Sequence, residues 1–187
     1  MNSSSRDAIL AAAKRTAQAH GYNGLNFRDL ADEVGIKAAS IYYHFPSKAD
    51  LGAAVARRYW EDTASGLESM LAETSDPIRC LRRYPEVFRK ALATGNRMCL
   101  CSFMAAEYDD LPKAVKREVQ TFADVNVAWL SRLLSAAAVV SAGKSEQRAR
   151  AIFAAVTGAQ LMARSRSDIS LYDALIDSYR MVGLLPT

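Results

Sequence analysis

The chain has 187 residues, half of them hydrophobic and 24 % charged, enough to bury a core and too apolar for a disordered chain. Lys and Arg number 24 against 20 Asp and Glu, a net +4 that permits nucleic acid or an anionic surface as partner without requiring either. Three cysteines are too few for a disulfide framework, and no apolar run reaches the ~20 residues of a membrane span, so a soluble, cytoplasmic protein is expected.

Helix starts recur along the chain. Ser4 precedes Asp7 by three, Asn26 precedes Asp29, Ser47 precedes Asp50 and Ser170 precedes Asp173. In each pair a side-chain oxygen can satisfy an early helical N–H while the later carboxylate reaches back. Asp76-Pro77 and Asp110-Leu111-Pro112 add two starts with Pro in the first turn. The expected helices are 5–20, 27–34, 38–45, 48–73, 77–94, 99–109, 112–139, 146–165 and 171–184. Ile9, Ala12, Ala13, Thr16 and Ala17 follow the spacing of a helix with one buried face, and no alternating strand pattern competes. Pro85 is expected to kink the fifth helix or split it. The fold class is all-α, with about nine helices.

Residues 26–45 read as two short helices about a tight turn. Phe27, Leu30, Ala31 and Val34 form the buried stripe of the first, Gly35 makes the turn, Ile36 plugs the junction, and Ile41 and Phe45 face inward from the second. Lys37, Ala39, Ser40, Tyr43 and His44 are left outward, with Tyr42 at the flank. Small residues at Ala38, Ala39 and Ser40 let a helix approach base edges, where a methyl meets thymine and a hydroxyl bonds several bases. Tyr42, Tyr43, His44 and Lys48 carry donors for phosphate oxygens.

Phe27-Arg-Asp-Leu-Ala31 and Val34 to Leu51, with Tyr42-Tyr-His-Phe-Pro-Ser-Lys48 at its centre, resemble the DNA-binding region of the TetR/AcrR family of bacterial transcriptional regulators. The resemblance implies a three-helix DNA-binding domain over 1–47 and a larger helical effector-binding and dimerisation domain over 48–187. The DNA-contact candidates are Arg28, Lys37, Ala38, Ala39, Ser40, Tyr42, Tyr43, His44 and Lys48. Many family members have Ser or Thr where this chain has Lys37, which exchanges a helix cap for a cation. The family further implies a homodimer on a palindromic double-stranded operator, most often as a repressor, released when a small-molecule effector changes the spacing of the two recognition helices. That spacing must match the ~34–36 Å helical repeat of DNA.

Scattered large side chains supply the effector-pocket candidates: Trp60, Phe88, Met98, Phe103, Met104, Tyr108, Phe122, Asn126 and Trp129. The segment Asn96 to Pro112 is similar to the sixth-helix region of a branch of the family that often has Gly-Cys-Leu there, some members of which sense electrophiles or oxidants. Cys99 and Cys101 at a helix start, near Arg97, are therefore candidate sensor thiols, with inert packing as the alternative. Metal binding is not expected: Cys-x-Cys lacks structural-zinc spacing, and the two histidines are taken by the DNA motif and a helix end. No cofactor is expected either.

Between Glu146 and Ala163, large residues alternate with Ala and Gly. Ile152, Phe153, Val156 and Gln160, with Leu175 and Tyr179 of the last helix, are the dimer-interface candidates, closure of the monomer's own core being the alternative. An enzyme is not expected, since there is no phosphate-binding Gly-rich loop, no Gly-x-Ser-x-Gly and no triad histidine. The alternative function is a helical binding module that keeps the fold but no longer reads DNA.

Overall fold

The computed structural model describes residues 5–141 and 143–187. Among these the secondary structure is helical throughout: α1 (Ser5–His20), α2 (Phe27–Val34), α3 (Ala38–His44), α4 (Lys48–Thr74), α5 (Pro77–Ala93), α6 (Leu100–Ala106), a 3-10 turn at Tyr108–Asp110, α7 (Lys113–Ala136), α8 (Ser145–Arg166) and α9 (Ile169–Met181). Two compact units result, one of residues 1–62 with 100–122 and the other of 63–99 with 123–187.

Local chemistry explains most boundaries. Asn26 Oδ1 accepts from the Arg28 and Asp29 amides at 2.8 and 3.3 Å, opening α2. Ser47 Oγ accepts from the Asp50 amide at 3.2 Å and donates to Asp50 Oδ2 at 2.6 Å, which opens α4. Asp76 Oδ1 caps α5 through the amides of Ile78 and Arg79. The Ser4 start lies outside the described residues. Elsewhere the expectations shift. α6 stops at Ala106 and tightens into the 3-10 turn, and α7 ends at Ala136, with Ala138 at φ +50°. Helix α9 opens on Asp168, not on the Ser170–Asp173 pair. Asp173 is instead held by Arg89, which donates twice at 2.7 and 2.8 Å. Pro85 does not split α5, which runs unbroken from 77 to 93. Proline removes one helical donor, and the buried packing of Tyr84, Pro85 and Phe88 holds the helix through it.

In the first unit, Ile9, Leu10, Ala12, Ala13 and Ala17 of α1 are buried, and α1 packs on α2, α3 and α6. Leu30 and Ala31 of α2, Ile41 and Phe45 around α3, and Leu51, Val55 and Ala56 of α4 complete that core. The second unit packs α8 on α9 and α5. Its core holds Tyr84, Phe88, Leu130, Leu133, Ile152, Val156 and Tyr172. Each fully buried large apolar side chain is worth about 1.5–3 kcal/mol relative to exposure.

Candidate nucleic-acid interface

Gly35 closes α2 at φ +75°, its amide donating to Ala31 O at 2.9 Å while that of Ile36 donates to the same carbonyl at 3.0 Å. This left-handed cap is cheap for glycine and turns the chain sharply into α3. Ile41 and Phe45 are buried, which fixes the roll of α3 and thereby decides what it presents. Tyr43 is 84 % exposed and Tyr42 57 % exposed. The Tyr43 ring meets that of His44 edge-on at 5.2 Å, and Tyr42 lies against Phe27 at 4.7 Å. Lys37 and Ala39 are exposed, and Ala38, Ser40 and His44 half-buried. Lys37 precedes α3 and, having no side-chain acceptor, makes no cap bond.

A surface groove of about 670 Å³ brings the separate pieces together, lined by Asn26, Phe27, Arg28, Ala38, Tyr42 and Lys48. It joins the start of α2, the start of α3 and the start of α4. The Lys48 ammonium donates to the Asn23 carbonyl at 3.0 Å and lies 4.8 Å from the Tyr22 ring centroid. The groove sets the Arg28 and Lys48 cations and the Tyr42 phenol beside the small Ala38, with Asp29 on the same wall.

One participant was not legible in the sequence. Glu107, just beyond α6, accepts from the Tyr22 amide at 2.6 Å and the Asn23 amide at 3.1 Å. Asp110 accepts from the Asn23 side-chain amide at 3.1 Å. A sequence separation of 85 residues hides the contact. The one local trace of it is Gly21, at φ +70°, where a Cβ would sit 2.2 Å from Glu107 Oε2.

The remaining candidates divide between the units. Trp60, Phe103, Met104, Tyr108 and Phe122 belong to the first, where the Trp60 indole donates to the buried Glu118 at 2.9 Å and Arg57 pairs with the same carboxylate at 2.7 Å. Burial pushes the Glu118 carboxyl up, but the hydrogen bonds from Arg57 and Trp60 outweigh it and hold its pKa below the ordinary 4.5. Phe88, Met98, Asn126 and Trp129 belong to the second, where Trp129 stacks on Tyr84 at 5.9 Å and Tyr84 donates to Asn126 Oδ1 at 2.9 Å. Trp129 is 4 % exposed and its indole N–H has no partner. Cys99 and Cys101 are each 1 % exposed, as a packed small hydrophobe would be, so neither presents a thiol to solvent. Among the described residues no cluster of three metal ligands occurs.

Three of the interface candidates lie inside the protomer, the alternative the sequence left open. Ile152, Val156 and Gln160 are fully buried in the protomer's own core and offer nothing to a partner. Gln160 accepts from the Cys99 amide at 3.0 Å and donates to the Phe88 carbonyl at 2.8 Å. Phe153, Leu175 and Tyr179 are half-buried. The outward row of α8 is Ala151, Ala154, Gly158, Leu161 and Met162, with Met181 exposed at the end of α9 and Val182 just beyond it.

Residues 9–55 match the family model described as "Bacterial regulatory proteins, tetR family". A TetR-family transcriptional regulator of known structure from Agrobacterium tumefaciens is 30 % identical, covers 92 % of this chain and is itself covered over 93 %, with a TM-score of 0.86. The chain belongs to the TetR family. A TetR transcriptional regulator from Legionella pneumophila matches over 97 % of this chain and 99 % of its own at 29 % identity, with a TM-score of 0.91. The HTH-type transcriptional activator FasR of Mycolicibacterium smegmatis is 32 % identical over 83 residues, which is 44 % of this chain and 38 % of FasR. The protein is thus a TetR-family transcriptional regulator with a DNA-binding helix-turn-helix. The relatives named here are described as transcriptional regulators. Among the described residues no helix is long and apolar enough to cross a membrane.

Proposed function

We propose that this TetR-family regulator binds a near-palindromic operator as a cytoplasmic homodimer, represses the neighbouring gene and is released by a small effector. Residues 1–47 would read DNA and residues 48–187 would bind effector and dimerise. The observation that carries the reading is the face of α3, where Tyr43 stands 84 % exposed over a fully buried Ile41. An aromatic pair held in the open by an anchored helix is suited to contact with a partner, and Lys37, Arg28 and Lys48 give that partner the character of a polyanion.

Dimerisation is supported by the exposed apolar row of α8, where Ala154 and Gly158 permit close helix approach and Leu161 and Met162 supply area. The effector reading is supported by the aromatic group around Trp129. A buried N–H without an acceptor costs about 1–3 kcal/mol, which an acceptor on a mainly apolar ligand would recover.

The test is selection of genomic fragments by the purified protein at near-physiological salt, followed by sequencing. Enrichment of a two-fold symmetric site, lost in Tyr43→Ala with association and thermal stability unchanged, is the expected result. No enrichment above random fragments overturns the operator reading in favour of a helical binding module. Equal affinity in Tyr43→Ala overturns the assignment of α3.

A further inference from the structure

Asn23, in the loop between α1 and α2, is held at three of its polar groups. Its amide donates to Glu107 at 3.1 Å, its side chain to Asp110 at 3.1 Å, and its carbonyl accepts from Lys48 at 3.0 Å. The neighbouring Tyr22 amide donates to the other oxygen of Glu107 at 2.6 Å. A single carboxylate thus serves two consecutive backbone donors, a charge-assisted arrangement roughly twice as strong as neutral pairs. Space for it exists because Gly21 has no side chain and because Gly52 admits the Tyr22 ring, where a Cβ would sit 2.7 Å away.

We infer that Glu107 is a positioning residue for DNA reading, acting through Asn23 on Lys48. The inference rests on the DNA-binding reading above. Lys48 is a flexible point charge with three donors. The Asn23 carbonyl takes one of these and the Tyr22 ring steadies the head group, so the remaining two point from a fixed place at the groove that Arg28 and Tyr42 share. In the loop that supplies both anchors the Tyr22 and Asn23 amides are fixed by Glu107, while those of Gly21 and Gly24 donate to the α1 carbonyls of Ala17 and His20. Release of that carboxylate loosens the loop at Tyr22 and Asn23, the two residues that hold the ammonium. Glu107 touches no DNA in this scheme.

The experiment measures affinity of the full-length protein for a fragment it selects, over a series of salt concentrations. Glu107→Ala is expected to lower affinity about tenfold and to reduce the salt slope by about one per chain, the signature of a lost phosphate contact. In a Lys48→Ala background the same substitution should cost almost nothing more, because both act on one contact. Glu107→Gln keeps the size and one acceptor, so it should fall between, and it serves if the alanine variant does not fold. Hydrogen exchange should show the Tyr22 and Asn23 amides losing protection while those of α1 and α5 keep theirs. A purely structural role would lower thermal stability without changing the slope. Wild-type slope and affinity in both variants, tighter binding, or losses that add to that of Lys48→Ala would overturn the positioning role. A wild-type protein that enriches no fragment overturns the DNA reading itself, and this inference with it.

Discussion

Replacing Gln160 by Leu separates a core role from an interface role in one measurement. The side chain is fully buried, with its oxygen on the Cys99 amide and its nitrogen on the Phe88 carbonyl. Phe88 lies inside α5 and keeps its helical partner, so its carbonyl loses only a second bond, about 0.5–1 kcal/mol. Cys99 precedes α6, outside its ladder of helical bonds, so its buried amide bears the larger penalty, about 1–3 kcal/mol. Leu nearly matches Gln in volume, which keeps the cavity contribution small. The expected loss is about 2–3 kcal/mol, read as a fall of about 1 M in the urea midpoint followed by circular dichroism. Repeating the titration over a hundredfold range of protein concentration gives the discriminating result. A core defect leaves the loss the same at every concentration, whereas an interface defect is recovered by mass action. A loss below about 0.5 kcal/mol, or one that vanishes at high concentration, refutes the reasoning.

Three further outcomes are expected. The pKa of Glu118 is depressed in the folded chain, so the unfolded chain takes up the proton first; its stabilisation is complete above the ordinary value of 4.5 and is lost as pH falls through the folded value. Thermal unfolding across acid pH should therefore show a decline that Glu118→Gln flattens, and identical pH profiles would count against the Arg57–Trp60 cradle. Cys80, Cys99 and Cys101 are all buried, so a thiol reagent should react slowly with native protein and with three thiols in denaturant; one fast native thiol would restore a sensor role. Leu161→Glu places a charge on an exposed face, so sedimentation should show weakened association at unchanged helicity, and unchanged association would remove the α8 row from the dimer.

Features that depend on neighbours a few residues away were legible in the sequence. Asn26, Ser47 and Asp76 cap helices where the pattern put them, because a cap is a contact over two or three residues. The order Leu30, Gly35, Ile41, Phe45 gave the turn and the inward faces for the same reason. Asp173 was misread because its partner Arg89 is 84 residues away, and a carboxylate near a helix start looks the same whether it caps or pairs. The sequence left Gln160 between core and interface because a helix rich in Ala on two faces does not declare which face is interior. Glu107 stood in an acidic run before Pro112 that resembles an ordinary helix end, and only the fold brings it to Tyr22.

The first compact unit is discontinuous in sequence, since 100–122 completes what 1–62 begins. A ribosome therefore releases α1 to α3 well before the segment that ties down their connecting loop. At about 5–20 residues per second, the wait for those sixty residues is on the order of 3–12 s. Through that interval the apolar face of α1 lacks its packing against α6. The unit that carries α2 and α3 is therefore complete only once residue 122 has been made, and a fragment cut near residue 55 would start out with that face uncovered.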